Sequence, residues 1–479
     1  MFLLSLAAPT LPADAVADAL PAEQIRALQT SLDQALGSTV GAAAAISTPA
    51  GRWLGASGIA NLRTGFAVMP DDLFQIGSIT KPFVSTVVLQ LWQEGRLTLE
   101  DSLTRWLPSE VIASLPNAEQ ITLRQLLNHT SGIPDYVPIL LESGVNLFRE
   151  WQPQELIELI GNQSTDFAPG TDWSYSNTNY ILLGLIIEQV TGNSVAAEIR
   201  ERILDPLGLE NTFFAGAEAI PPTVSGYWDV NNDGNLDDVS NLSLSWAGAA
   251  GALVSNTQDL IRFAEALFGG ELLQPDTLAQ MLDFRDDIPS NAFSGYGLGI
   301  ARFKTTEGTF YGHTGLTLGF RSSLWYSPET QVIYTDLQNT RRFNNLFSPL
   351  LATWEGQPNR SLVGTAGNDF LLGSGKLDTI QGQSGDDVIS GGKGNDFLWG
   401  NAGRDRFYLV PGEGIDGIAD FVPTEDRILL PNLDFEQITL TERYGNTIIS
   451  LTATGERLAG LINVTVSELT AANFVSTLT

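Results

Sequence analysis

Phe74-Gln75-Ile76-Gly77-Ser78-Ile79-Thr80-Lys81-Pro82-Phe83 is the stretch whose reading decides the fold. The chain of 479 residues contains only four lysines, and one of them stands three residues after a serine. The apolar run from Phe83 to Trp92 predicts a buried helix with Ser78 at its first turn. Positions i and i+3 share a helix face, so the Lys81 amine reaches the Ser78 hydroxyl. A serine hydroxyl is a weak nucleophile until a base takes its proton. A lysine in apolar surroundings is pushed toward its neutral form and serves as that base. The helix N-terminus adds free N–H groups and a positive end, which suit an oxyanion. Standing alone, the tetrapeptide reads more readily as a plain helix start, with Ser near the N-cap and a solvated lysine.

Two further boxes change that balance. Tyr175-Ser176-Asn177 closes the turn-rich stretch Pro169-Gly170-Thr171-Asp172-Trp173-Ser174. In an extended segment Tyr175 and Asn177 point the same way, the phenol to pass protons and the amide to hold a substrate carbonyl. His313-Thr314-Gly315 follows a strand predicted at Thr309 to Tyr311 and precedes another at Phe320 to Tyr326. Gly315 there lets a ligand backbone approach closely. His313 is one of only two histidines.

In this order, Ser-x-x-Lys, Tyr-x-Asn and His-Thr-Gly resemble the serine hydrolases grouped with class C β-lactamases, D-alanyl-D-alanine carboxypeptidases and related esterases. The similarity also takes in Leu126-Leu127-Asn128-His129-Thr130-Ser131-Gly132-Ile133-Pro134, and it spans about Leu28 to Leu351. The resemblance implies Ser78 as nucleophile, with Lys81 and Tyr175 sharing base and proton-relay duty. It implies Asn177 as substrate-orienting and His313 as facing the substrate carboxylate or leaving group. The N–H groups of Ser78 and Leu316 would form the oxyanion hole, beside Thr314 and Gly315. The penicillin-recognising family more often carries Lys where this chain has His313, which favours a peptidase or esterase over efficient β-lactam hydrolysis. No second carboxylate is evidently devoted to deacylation.

From Gly364 to Tyr408 the chain repeats every nine residues, in units opening at Gly364, Gly373, Gly382, Gly391 and Gly400. Their sixth positions are Asp369, Asp378, Asp387, Asp396 and Asp405; their eighth are Leu371, Ile380, Ile389, Leu398 and Phe407. This pattern resembles the RTX calcium-binding β-roll. Glycines permit the turns, aspartate oxygens suit the hard cation Ca²⁺, and the apolar residue fills the roll. Lys376 departs from the pattern at the fourth position of the second unit. Without Ca²⁺ the aspartates repel and the roll is expected to be largely disordered. A second calcium candidate is Asp229-Val230-Asn231-Asn232-Asp233-Gly234, with acids or amides at positions one, three and five, then Gly. Ser240 stands at its twelfth position instead of a bidentate Glu, and such turns are also common as plain surface loops.

After Tyr408 the alternation of apolar and polar residues predicts strands, as in Arg427 to Leu430 and Thr447 to Leu451. That tail resembles the segment read by the exporter in type I secretion. The N-terminus agrees: Phe2 to Ala8 is apolar but short, and no Lys or Arg precedes Arg26, so no Sec-type signal is expected. No stretch has the length of a transmembrane helix. The expected location is extracellular, secreted and open to surface attachment.

The formal charge is −30, of which sixteen acidic and seven basic residues from Ser361 onward account for −9. The acidity is general and argues against nucleic acid or an anionic membrane as partner. The absence of cysteine removes disulfides, thiol nucleophiles and zinc-thiolate sites. The fold class expected is α+β: an antiparallel sheet flanked by helices plus a helical lobe, followed by a C-terminal all-β parallel β-roll. The domains are expected at 1–355 (hydrolase), 356–363 (linker), 364–408 (calcium roll) and 409–479 (β-rich tail). The function implied is an exported serine hydrolase working through an acyl-enzyme on a small-molecule or peptide substrate. Its reaction would be D-alanyl-D-alanine carboxypeptidase-like or β-lactamase-related amide hydrolysis, with an esterase or a non-catalytic wall-binding protein as alternatives.

Overall fold

Strand by strand, a computed structural model describes residues 20–475 apart from 21, 38, 49–50, 143–145, 162, 232, 287, 291–292, 306–307, 342–344, 355–359, 374–376, 393, 432 and 444. The Phe2–Ala8 stretch, Lys376 and residues 356–359 of the expected linker lie outside the described residues, and the rest of that linker, Arg360–Val363, is a strand. The chain divides into two compact units, Met1–Phe347 and Ser348–Thr479.

The first unit is built on an eight-stranded antiparallel sheet. Its strands are β1 (Gly41–Thr48), β2 (Gly51–Asn61), β3 (Phe66–Ala67), β4 (Gly295–Tyr296), β5 (Ala301–Thr305), β6 (Gly308–Leu316), β7 (Arg321–Tyr326) and β8 (Ile333–Gln338). The order is β3-β2-β1-β8-β7-β6-β5-β4, so the two ends of the unit meet where Ala42 pairs with Gln338. Ala42 to Ile46 are wholly buried, because small side chains leave room for elements packed on both faces. Helix α1 (Ala22–Ala35) lays Leu28 and Leu32, four residues apart, against this sheet's β2 side.

Three further helices matter for the site: α2 (Thr80–Gln93), α3 (Asn177–Thr191) and α4 (Thr257–Phe268). α2 is buried almost all round, as its largely apolar run, broken only by Ser85, Thr86 and Gln90, predicts. Pro82 is tolerated in its first turn, where an N–H has no intrahelical acceptor. α4 packs on β1, β7 and β8, and its Phe263 ring stacks on Phe83 of α2 with centroids 3.6 Å apart. Burying each such ring stabilises the unit by about 1.5–3 kcal/mol. Ala247 to Gly251, which reads as a glycine-rich turn, contains a short helix, Gly248–Gly251, lying against α2 and α3. A Cβ on Gly184 of α3 would come within 2.8 Å of Ala249, so small residues on both sides permit this approach.

The second unit winds as two parallel sheets. One orders Arg360–Val363, Asp378–Gln381, Phe397–Trp399, Asp416–Ile418 and Arg457–Leu461, then turns antiparallel into Asn446–Leu451 and Ile438–Arg443. The other stacks Phe370–Leu372, Val388–Ser390, Arg406–Tyr408, Arg427–Leu429 and Phe474–Val475. Ile380, Ile389, Leu398 and Phe407 are fully buried between them, where the eighth position of the repeat puts them. The core continues past Tyr408 through Ile418, Ile428, Ile449 and Leu461.

Candidate active site

Ser78 stands in a separate single turn, Gly77–Ile79, that leads into α2 instead of belonging to it. The short strand Phe74–Gln75 pairs with Leu253–Ser255 and fixes the approach to this turn. Gly77 takes φ of +50°, and a Cβ there would lie 2.7 Å from the Leu316 nitrogen. Only glycine therefore lets the end of β6 close on the nucleophile turn. Gly315 is equally constrained, since its Cβ would lie 1.9 Å from the Ile76 carbonyl oxygen. Ser322 of β7 donates to that same carbonyl at 2.8 Å and holds the strand end in place.

Lys81 is completely buried, and its amine donates to Ser78 Oγ at 2.9 Å, Asn177 Oδ1 at 2.8 Å and the Ala250 carbonyl at 2.7 Å. Burial pushes its pKa from 10.5 to about 7, while the Asp135 charge pulls it back up. At neutral pH the amine is therefore poised between its two forms, next to the hydroxyl it would deprotonate. Tyr175 completes the group: its hydroxyl hydrogen-bonds Ser78, and its ring centroid is 4.9 Å from the Lys81 amine. Burial holds the phenol well above its usual 10, so it is a neutral hydroxyl.

Asn177 is not in an extended loop, as its spacing to Tyr175 predicts. It is the first residue of α3, and Ser176 before it is extended at φ −136° and ψ 118°. Its amide is turned by two partners: the oxygen faces Lys81, and the nitrogen donates to Asp135 Oδ2 at 3.0 Å. The Asn177 backbone N–H also donates to Asp135 Oδ1, at 3.2 Å. His129, buried and in the left-handed region at φ 61°, holds the irregular stretch leading to α3. Its carbonyl accepts from Ser174 N–H at 3.1 Å and its Nδ1 from Ser176 N–H at 3.2 Å.

The His313-Thr314-Gly315-Leu316 segment lies inside β6 instead of following a strand. His313 is buried; its Nδ1 donates to the Thr314 carbonyl and its Nε2 accepts from the Tyr296 hydroxyl at 2.9 Å. Burial first, and Lys81 second, bring its pKa down to about 3. It is a neutral imidazole, 6.1 Å from the Tyr175 ring between centroids. Ser78, Lys81, Tyr175 and Asn177 thus touch directly, Leu316 joins them by its backbone, and His313 stands behind Tyr175. Ala250, Asp135, His129 and Tyr296 are additional to the residues the sequence reading nominated. Asp135 directly follows the Leu126–Pro134 stretch, and Ala250 sits in the small-residue run at Ala247.

In the second unit the repeat aspartates form ladders. The N–H groups of Asp369, Asp378 and Asp387 donate to Oδ1 of Asp387, Asp396 and Asp405 at 2.8, 2.7 and 2.9 Å, eighteen residues on each time. Oδ2 of Asp387, Asp396 and Asp405 is buried with no hydrogen-bond partner. Each is aimed at the glycine opening its own unit; a Cβ on Gly382, Gly391 or Gly400 would meet it at 2.2, 2.0 or 2.2 Å. Burial, and after it the neighbouring Asp416, hold Asp396 well above the usual carboxylate range. Orphaned, crowded carboxylate oxygens are what a Ca²⁺-binding roll presents, so the residues fit the ion. Among the described residues no group of three or more His, Asp or Glu is placed to hold a metal, so backbone carbonyls must contribute. Asp229, Asn231 and Asp233 lie on an exposed hairpin between Tyr227–Trp228 and Asp237–Asp238. There the Asp229 carboxylate accepts from the N–H groups of Asp233 and Gly234, both at 2.9 Å.

An antiparallel sheet backed by helices, with serine, buried lysine and tyrosine in contact beside the end of its strand β6, defines a serine hydrolase. Residues 28–348 match the Beta-lactamase family, and the chain belongs to that family. Residues 361–375 and 373–407 match the RTX calcium-binding nonapeptide repeat, which binds Ca²⁺. Penicillin-binding protein 4 of Amycolatopsis lactamdurans is 30% identical over 317 residues, 63% of this chain and 82% of that protein. The D-aminopeptidase of Brucella anthropi is 30% identical over 287 residues, 57% of this chain, which spans only 51% of that relative. The D-amino acid amidase of Ochrobactrum anthropi SV3, solved with L-phenylalanine amide, superposes with a TM-score of 0.63 at 29% identity. That match covers 70% of this chain and 99% of the amidase. Among the described residues no single helix is long and apolar enough to cross a membrane.

Proposed function

We propose that the protein is an exported serine amidohydrolase that cleaves amides or short peptides of D-amino acids bearing a free α-amino group. The observation that carries the reading is Lys81: a fully buried amine, near neutrality at pH 7, within 2.9 Å of Ser78 Oγ. Neutral Lys81 takes the Ser78 proton as Oγ attacks the substrate carbonyl, and the N–H groups of Ser78 and Leu316 hold the oxyanion. Tyr175 passes the proton to the leaving amine. Water then attacks the acyl-Ser78 ester, Lys81 takes its proton with Tyr175 as relay and returns it to Ser78 Oγ as the ester bond breaks, and the free acid leaves. Asn177, oriented by Asp135, aligns the lysine and the bound carbonyl.

The charges at the site favour a substrate cation. Asp135, its pKa raised by burial, accepts from the Asn177 amide and backbone N–H and from Val137 N–H, while His313 is neutral and buried. A carboxypeptidase or β-lactamase reading needs a positive group for the substrate carboxylate, which His313 does not supply. The named activities of the Brucella and Ochrobactrum relatives point to the same class. The calcium roll supports export through a type I exporter to the cell exterior.

Intact-mass and turnover measurements on the calcium-loaded protein test this, with D-alanine amide, N-acetyl-D-Ala-D-Ala, a penicillin and p-nitrophenyl acetate. The expected result is turnover of D-alanine amide at least tenfold above the blocked dipeptide, abolished in Ser78→Ala. Faster cleavage of the blocked dipeptide overturns the aminopeptidase assignment. Absence of any adduct or turnover with all four overturns the enzyme reading.

A further inference from the structure

We infer that the calcium ladder runs beyond the nine-residue repeats, and that Asp416 with Asp396, and Asp426 with Asp405, hold two further Ca²⁺ ions. In the regular coils each aspartate N–H donates to Oδ1 of the aspartate on the next rung, eighteen residues later. The same bond continues where the nine-residue spacing has lapsed. Asp396 N–H donates to Asp416 Oδ1 at 3.1 Å across 20 residues, and Asp405 N–H to Asp426 Oδ1 at 2.9 Å across 21. Strand pairing follows: Phe397–Trp399 pairs in parallel with Asp416–Ile418, and Arg406–Tyr408 with Arg427–Leu429. Asp416 and Asp426 therefore occupy the same rung position as the repeat aspartates, and both are buried.

Asp426 Oδ2 accepts from Val422 N–H at 2.8 Å, so the oxygens left without a donor are those of the preceding rung. Oδ2 of Asp396 and of Asp405 belongs to side chains that are 0% and 1% exposed, and neither has a hydrogen-bond partner. Asp416 lies within hydrogen-bonding reach of the Asp396 carboxylate. Two buried carboxylates in contact require a cation or a shared proton between them. At the other edge Asp420 lies near Asp405 and Asp426 without completing a three-acid metal group. Its own oxygens cap the N–H groups of Gly400 and Asn401 at 2.9 and 2.8 Å, so it shapes the turn that carries the Gly400 carbonyl. Oxygen-only surroundings of this kind select Ca²⁺ over softer metals.

Native mass spectrometry of the full chain in saturating Ca²⁺ counts the ions directly. Asp416→Asn and Asp426→Asn keep an Oδ1 acceptor for the ladder bond and remove one charge each. Each variant is expected to bind one ion fewer than wild type, and the double variant two fewer. Unchanged counts in both overturn the proposal and leave a shared proton as the alternative. Should a variant lose its roll, wild-type crystals grown with Tb³⁺ decide the matter by anomalous scattering. Peaks beside Asp416 and Asp426 support the extended ladder; peaks confined to the coils before Asp405 refute it.

Discussion

The two units bury charge in opposite ways. Lys81 is sealed inside the first unit with three neutral oxygens around its amine, each within 2.9 Å. Asp387, Asp396 and Asp405 are sealed just as deeply in the second, yet each leaves one oxygen without a partner. Burying an unpaired carboxylate costs several kcal/mol, whereas a fully hydrogen-bonded amine shifts its pKa and stays. The first unit is thus complete in its own residues, with Phe83, Phe263 and a continuous apolar core. The second leaves its orphaned aspartate oxygens to be satisfied from outside its own donors, as expected of repeats that bind Ca²⁺.

Chelation is the strongest way to break this contrast. Removing Ca²⁺ with EGTA is expected to abolish hydrogen-exchange protection throughout 360–475 while residues 22–341 keep theirs. Labelling of Ser78 should persist within about twofold. Loss of protection in both units together would mean that the hydrolase relies on the roll for stability.

Lys81→Ala probes the first unit in the same terms. Removing a positioned base costs about 10²–10⁴ in rate, and acylation measured by intact mass should fall by that factor. Calcium stoichiometry should not change. A drop of less than tenfold would shift the base role from Lys81 to Tyr175.

Cavity substitutions sharpen the contrast at the level of packing. Phe263→Ala removes the ring stacked on Phe83 and is expected to destabilise the first unit by about 3–5 kcal/mol. Ile389→Ala should cost the second about 2–5 kcal/mol, and that loss should be recoverable by raising Ca²⁺, since ion binding adds to folding. Denaturant melts at two calcium concentrations check both; a calcium-sensitive Phe263→Ala would contradict the division.

How much of this was legible in the sequence follows from the range of the interactions. Ser78 and Lys81 are three residues apart, so their contact is local and readable. The repeat is readable because its period writes each rung eighteen residues from the next. The Ala250 carbonyl is not, since a backbone acceptor has no side-chain signature and lies 169 residues from Lys81. Asp135 meets Asn177 across 42 residues, and nothing in either segment states the pairing. His313 reads as a group facing substrate, but its burial against Tyr296 depends on strand register that residue type does not encode. The rungs at Asp416 and Asp426 escape because the spacing changes while the Asp-x-Ile pattern at Asp416-Gly417-Ile418 and Asp426-Arg427-Ile428 persists.

The smallest predicted effect concerns how the first unit sets its own charge. Lys81 acts as a base only when neutral, so the acylation rate should rise with pH along a limb centred at about 7. Two causes oppose each other there: burial lowers the lysine pKa, and the Asp135 charge raises it. Asp135→Asn removes the second cause while leaving an oxygen to accept from Asn177. The ammonium form loses its stabilising charge, so the lysine pKa falls and the limb moves toward acid pH. Well above pH 7 both enzymes carry neutral lysine, and their rates for an uncharged ester should converge. The same exchange at Asp396 should change the calcium count and leave the limb in place. A limb that stays put, or moves alkaline, in Asp135→Asn would show that Asp135 acts on Asn177 alone and that burial by itself sets the base.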